Sequence, residues 1–274
     1  MCGICGFVAP GIKELGELEQ MNSTLKHRGP NDEGVQLFSF NDLTIGLGHQ
    51  RLSIIDLSQA GHQPMSDKSR ELWITYNGEI YNYQELRQVL VSLGHEFSSE
   101  TDTEVILYAY KEWGHDCLRR LNGMFSFAVY DQVNKTLLIA RDGMGIKPLY
   151  YYFQNCHFAF ASELKSLIAY KDFKKEIDLI SIYEYLSFQY IPSPRSIFSN
   201  TYKLEPGHYL LVDLNKNQVY KEKYWEPKIN TSFRDEITET SELCYLEKLD
   251  EILRQVITAQ LISDVPIGAF LSGG

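Results

Sequence analysis

The stretch MFSFAVYDQVNKTLLIARDGMGIKPLYYYFQNCHFAFASE, residues 124–163, is where the apolar period of the chain shifts to two. Met124 to Asp131, Thr136 to Asp142, Pro148 to Phe153 and His157 to Glu163 are short apolar runs separated by polar connections, and they predict four successive strands. Immediately upstream the spacing is helical. Gln84 to Leu93 is stopped by Gly94 and Thr103 to Trp113 by Gly114, since glycine just past the last periodic residue ends a helix. Thr101 and Glu104 stand at capping-box spacing at the start of the second helix. Further back, LWITYNGEIYN (Leu72 to Asn82) predicts a strand that runs into a turn at Asn77-Gly78. The N-terminus predicts a strand over Gly3 to Val8 and a helix face from Leu15, Leu18, Met21 and Leu25, with polar loops after it and an Ile-, Leu- and Gly-rich passage from Leu43 to Ile55. Helices followed by a run of short strands predict an α+β domain with mainly antiparallel sheets.

Downstream, a helix over Ile180 to Phe188, the Pro-containing IPSPRSIF, and strands at His208 to Leu214 and Tyr220 to Trp225 complete the unit. EPKINTSF reads as a linker. Leu243, Leu246, Leu253, Val256 and Leu261 then mark a long amphipathic helix whose apolar face has no evident partner. The expected organisation is one domain over residues 2–227, a linker over 228–240 and the start of a second domain over 241–274.

Composition narrows the function classes. The chain has 274 residues, 44% of them hydrophobic, enough for a substantial core. A net charge of -10 with no basic block argues against a nucleic-acid partner. No apolar run reaches the roughly 18 residues that cross a bilayer, and the first residues lack a signal-peptide layout, so no membrane association and a cytoplasmic location are expected. Five scattered cysteines are not a disulfide framework. Cys2 and Cys5 have C-x-x-C spacing, but there is no βαβ context for a redox pair and no second pair of ligands for zinc, so no metal is expected.

Cys2 carries a chemical possibility of its own. Once Met1 is removed, its thiol and a free α-amine share one residue, and the amine, with a reference pKa of about 7.7 to 8.0, can serve as general base for the thiol. Taken alone, a cysteine near a terminus is more simply a small buried hydrophobe.

Cys2 does not stand alone. MCGICGFV, HRGPN (His27 to Asn31), HQRLSIID (His49 to Asp56), YNGEIYN (Tyr76 to Asn82), TDTEV (Thr101 to Val105), RDGMGIKPLYY (Arg141 to Tyr151) and SELKSL (Ser162 to Leu167) occur in the order seen in class II glutamine amidotransferases, which they resemble. YEYLSFQYIPSPRSIF, KLEPGHYL and SDVPIGAFLSGG extend the resemblance to the glutamine-hydrolysing asparagine synthetase family. The resemblance implies the N-terminal nucleophile hydrolase fold, a four-layer αββα sandwich of two mainly antiparallel sheets. It also implies hydrolysis of the glutamine side-chain amide to glutamate and ammonia.

Roles follow residue by residue from that resemblance. Cys2 would attack the amide carbon, and the Asn77 side-chain amide with the Gly78 N–H would hold the oxyanion; without Cys2 these two would read as a hairpin turn. Arg51 would take the α-carboxylate of glutamine and Asp102 its α-ammonium, although an acid before a helix also has a capping role. Glu79 would line the pocket through its backbone. In HRGPN, Asn31 stands where the family has aspartate, which puts a charge-dependent loop contact in doubt unless Asp32 replaces it. Arg141 and Asp142 read as an ion pair or turn residues.

The ending FLSGG matches the start of a pyrophosphate-binding loop, so Ser272, Gly273 and Gly274 would be an incomplete ATP site after the first helix and strand of an α/β ATP-pyrophosphatase domain. Glutamine hydrolysis is expected to need no cofactor. ATP and magnesium are expected only in a complete synthetase, with that domain in cis and a homodimer as its assembly. A non-catalytic module of this fold, or an amidotransferase with another acceptor, is the competing reading.

Overall fold

The structure, a computed structural model, describes residues 1–228 and 239–269. The elements follow in chain order: β1 (Gly3–Pro10), α1 (Leu15–Ser23), β2 (Asp32–Phe40), β3 (Leu43–Arg51), β4 (Met65–Ser66), β5 (Leu72–Ile80), α2 (Tyr83–Ser92) and α3 (Asp102–Trp113). Then come β6 (Gly123–Asp131), β7 (Thr136–Arg141), β8 (Tyr150–Gln154), β9 (His157–Ala161), α4 (Leu164–Ala169), α5 (Leu179–Phe188), β10 (Thr201–Lys203), β11 (His208–Asp213), β12 (Gln218–Lys223) and α6 (Glu239–Gln260). The strands form two six-stranded sheets, ordered β10-β8-β9-β1-β3-β2 and β12-β11-β7-β6-β5-β4, with every pairing antiparallel. The four strands expected over residues 124–163 are present but divided: β6 and β7 belong to one sheet, β8 and β9 to the other.

The layers follow from side-chain alternation. On β1, Ile4 and Val8 face the core between the sheets, while Cys5, Phe7 and Ala9 face the outer core under α1 and α4. On β5, Ile74 and Tyr76 pack against α2 and α3 on the opposite outside face. Helix, sheet, sheet and helix thus make the four-layer sandwich, with each of the two central sheets packed on both faces. Cys5 is consumed by packing, and burial pushes its thiol up to about 12.

Three local expectations are corrected. Asn77-Gly78 is not a turn, because β5 continues to Ile80 and pairs Asn77 with Ser126 and Gly78 with Phe125. The chain reverses after Ile80, where Tyr81 N–H donates to Asn122 O at 2.8 Å and the Asn82 side chain bridges to Arg120 O and Asn122 N–H at 3.0 and 2.9 Å. The polar passage after residue 31 is an edge strand, β2, with Val35 and Leu37 on one face and Phe38 and Phe40 on the other. No strand forms over residues 265–269, the described part of the passage expected to hold the first strand of a second domain; among the described residues it has no neighbour to pair with. Ser272, Gly273, Gly274 and most of the 228–240 linker lie outside the described residues. α6 is present, and its apolar face is exposed. Among the described residues no helix is long and apolar enough to cross a membrane.

Gly78 is a packing requirement of this arrangement. A Cβ there would lie 2.3 Å from Met124 O and 2.8 Å from Phe125 Cα, both backbone atoms of β6. Gly78→Ala should therefore push β5 off β6 and destabilise the domain by about 1–3 kcal/mol, as overpacking does; an unchanged urea midpoint would contradict this packing.

Candidate active site

Antiparallel pairing of β1 with β3 brings Gly3 opposite Gln50, so Cys2 and Arg51 meet at one end of the same strand pair. Cys2 Sγ accepts from Leu52 N–H at 3.3 Å and lies 3.6 Å from Leu52 O. Burial pushes the thiol pKa up, against the Leu52 N–H, the N-terminal amine and Arg51, which all favour thiolate. The resting group is thus a thiol that needs a base. In the chain with Met1 in place that amine belongs to Met1, which also lines the pocket, and burial lowers its pKa. The residue is anchored from behind: Arg28 Nε donates to Cys2 O at 2.8 Å, and Arg28 Nη1 pairs with Glu163 at 2.8 Å. Burial alone would raise the Glu163 pKa, but Arg28, His27 and Lys165 together bring it to about 2. His27 reaches the site only through this cluster.

β5 supplies the donors. Both backbone groups of Phe125, opposite Gly78, are taken by Asp142: Asp142 N–H donates to Phe125 O at 2.8 Å and Phe125 N–H to Asp142 Oδ2 at 3.1 Å. Gly78 and Phe125 are therefore a non-hydrogen-bonded pair, and the Gly78 N–H turns away from β6. The flanking N–H groups of the same parity show where it turns. Tyr76 N–H donates to Gln63 Oε1 at 2.7 Å, and Ile80 N–H to Asp102 Oδ2 at 3.0 Å. Beside Gly78, Asn77 is 1% exposed, and its Nδ2 is buried without a hydrogen-bond partner among the described residues. Leaving such a donor unpaired costs about 1–3 kcal/mol, so it marks a place for an oxygen acceptor. His49 braces this strand from β3. Burial lowers its pKa to about 3, so the ring is neutral and Nε2–H donates to Tyr76 O at 3.0 Å.

Asp102 opens α3 behind its N-cap Thr101, whose hydroxyl accepts from Glu104 N–H at 3.2 Å. The capping box is only half formed, because the Glu104 carboxylate turns to Ser98 N–H and Ser99 N–H. Asp102 Oδ2 accepts from Tyr76 O–H at 2.7 Å as well as from Ile80 N–H. Burial raises its pKa to about 6, against the pull of those two donors and with the Glu79 charge adding to the rise. Arg51, 6% exposed, donates through Nη1 to Ser58 O at 2.9 Å and through Nη2 to the carbonyls of Ile55 and Asp56. Those bonds leave donors of the guanidinium over. Gly61 makes room for it, since a Cβ there would lie 1.9 Å from Nη2.

One pocket collects Cys2, Arg51, Asn77, Gly78, Glu79 and Asp102, all six residues singled out from the sequence that fall among the described residues. It also holds residues the sequence reading missed. Lys147 is buried, and burial lowers its pKa against the opposing pull of the Glu79 charge. It is fixed by Asp142, which accepts from Met144, Ile146 and Lys147 N–H at 3.1, 2.9 and 3.0 Å. Arg141 donates to the carbonyls of Lys147, Leu204 and Gly145. Arg141 and Asp142 are thus turn residues and not an ion pair. Glu79 is half-buried, and burial raises its pKa. The doubt over Asn31 is resolved by its amide: Oδ1 accepts from Ser53 N–H at 3.1 Å, which needs no charge, while Asp32 pairs with His62 at 2.8 Å.

A thiol, two adjacent N–H donors, a guanidinium and a buried carboxylate lining one pocket fit nucleophilic attack on an amide belonging to an amino acid. Comparisons with known proteins agree. The chain is 40% identical to the Methanocaldococcus jannaschii protein named "Putative asparagine synthetase (glutamine-hydrolyzing) 2", across all of this chain and 55% of that one. It is 36% identical to asparagine synthetase (glutamine-hydrolyzing) 1 of Bacillus subtilis, across 42% of that chain. It therefore spans about half the length of these relatives. Among solved structures, glutamine phosphoribosylpyrophosphate amidotransferase from B. subtilis shares the fold, with a TM-score of 0.58 and 19% identity over 84% of this chain and 50% of that one. The glutamine amidotransferase domain family matches residues 1–225, and the chain belongs to that family.

Proposed function

We propose that this chain hydrolyses glutamine to glutamate and ammonia, as the ammonia-supplying half of an asparagine synthetase. The observation that carries the reading is the buried Asn77 Nδ2, without a partner among the described residues, beside the outward Gly78 N–H, in the pocket that holds the Cys2 thiol. The α-amine of Cys2 takes the thiol proton, sulfur attacks the amide carbon, and the developing oxyanion meets the two donors. Return of the proton to nitrogen expels ammonia and leaves a glutamyl thioester. Water activated by the same amine then cleaves the thioester and regenerates the thiol. Arg51 takes the α-carboxylate and Asp102 the α-ammonium, which selects a free amino acid. The relatives' names favour aspartate as the acceptor of the ammonia. ATP, magnesium and that acceptor would bind in the part of the relatives this chain does not span.

Glutamate release from glutamine tests this with Met1 removed. Cys2→Ala should abolish release, and Asn77→Ala should lower kcat about 100- to 1000-fold with little change in KM, the usual loss for one oxyanion donor. Release that survives Cys2→Ala would refute the reading.

The pH profile tests the ammonium grip. Asp102 must be ionised to hold an ammonium, so kcat/KM should fall as pH drops through about 6. Tyr76 O–H stabilises the charged carboxylate; Tyr76→Phe should therefore move that inflection to higher pH while kcat at saturating glutamine changes little. An unmoved inflection would remove Asp102 from this role.

A further inference from the structure

Asp56 stands at φ 52°, in the left-handed region where a residue with a side chain needs support from its surroundings. That support arrives from three directions. Its Oδ1 accepts from the Ser58 N–H at 3.0 Å and the Ser58 hydroxyl at 2.5 Å, and its Oδ2 accepts from Glu100 N–H at 3.1 Å. Its carbonyl accepts from Arg51 Nη2. Its N–H donates to Asp264 Oδ2 at 2.7 Å, and the Asp264 N–H returns a bond to Ile54 O at 3.0 Å.

Asp56 thereby connects the two grips on the amino acid. Through its carbonyl it touches Arg51; through its carboxylate it holds Glu100, two residues before Asp102. The third contact comes from the segment after α6, past residue 225, where the family match ends. That segment is seated by Ile262, which packs on the core under α2 and α3 that Ile55 also joins, and by the Ser263 turn, in which Val265 N–H donates to Ser263 Oγ at 3.1 Å. Asp264 itself lines no part of the pocket.

We infer that Asp56 is a positioning residue that sets the spacing between Arg51 and Asp102, and that Asp264 locks it, so the segment following α6 sets glutamine affinity. The inference rests on the reading that this pocket binds glutamine. The carboxylate and ammonium of an α-amino acid are a fixed distance apart, so displacing Arg51 from Asp102 weakens both contacts together. Cys2 immediately precedes β1, Asn77 and Gly78 lie on β5, and none of the three bonds to Asp56 or Asp264 among the described residues, so the chemical step should not follow.

The test uses the whole 274-residue chain carrying Asp264→Ala, Asp264→Asn or Asp56→Gly, with glutamine kinetics and amide hydrogen exchange read together. Asp56→Gly deletes the carboxylate while relieving the positive φ, so the variant should fold. Asp264→Ala should raise KM about two- to tenfold, the range for losing one hydrogen bond, with kcat within about twofold. Exchange should quicken over residues 54–58 and 100–102 and stay unchanged in β1 and β5. Asp264→Asn keeps an acceptor and should restore both readouts, whereas Asp56→Gly should raise KM. Unchanged KM and exchange in Asp264→Ala, no rescue by Asp264→Asn, or a fall in kcat at constant KM would each overturn the inference. If the unsubstituted chain releases no glutamate, the proposed function fails by itself, and the exchange pattern still decides whether Asp264 locks the loop.

Discussion

The site depends on one edge of one strand. β4 pairs with β5 only at Trp73 and Ile74, so beyond Ile74 the outward N–H groups of Tyr76, Gly78 and Ile80 have no neighbouring strand among the described residues. An open edge is ordinarily a hazard, because it invites pairing with another chain. Here it is filled by single groups: Gln63 takes the first N–H, Asp102 takes the third, and the second stays available between them. Had β4 continued, its carbonyls would have consumed the donor. The same edge fixes the buried Asp102 carboxylate, which is held by Ile80 N–H and by the Tyr76 hydroxyl. The proposed oxyanion donor, Gly78 N–H, and the proposed ammonium acceptor, Asp102, are thus set by the register of a single strand.

Burial gives these groups their chemistry and also makes them costly. It raises the pKa of the Cys2 thiol and of Asp102 and lowers those of His49 and Lys147. In each case desolvation opposes the charged form. For His49 the outcome suits a structural role, a neutral ring bonded to β5. For Cys2 it means that thiolate forms only when a base is beside it, which protects the resting thiol and ties reactivity to the amine exposed when Met1 is removed. The unsatisfied Asn77 amide is a further cost, carried by the large apolar cores on either side of the sheets. The bond from Asp264 to Asp56 ties chain outside the sandwich to the loop whose carbonyls hold Arg51.

Most of the strands and the helices were legible in the sequence because they rest on short-range periodicity, whereas the four-layer arrangement came through resemblance. The six expected site residues among those described were named from it too and do line one pocket, though their roles came through resemblance and not from spacing. What failed did so for tertiary reasons. Asn77-Gly78 has the composition of a turn, but the close approach of β6 gives the glycine a different use. β2 read as loop because its apolar residues divide between two faces at a sheet edge. Lys147 is one lysine among many until Asp142 folds its turn into the pocket. The bond between Asp56 and Asp264 joins residues 208 positions apart, and no local pattern announces it. The half-formed capping box at Thr101 is subtler: the spacing was right, but Ser98 and Ser99 competed for the Glu104 carboxylate.

The central claim is that Cys2 attacks the glutamine amide within this pocket. The most direct measurement is intact-mass and peptide analysis of the chain, with Met1 removed, acid-quenched during turnover with glutamine. The account predicts a covalent adduct with the mass of glutamine less ammonia, on the peptide that begins at Cys2, and its absence when Cys2 is replaced by alanine. Glutamate formation with no such adduct under conditions that preserve a thioester, or an adduct on another residue, would contradict it.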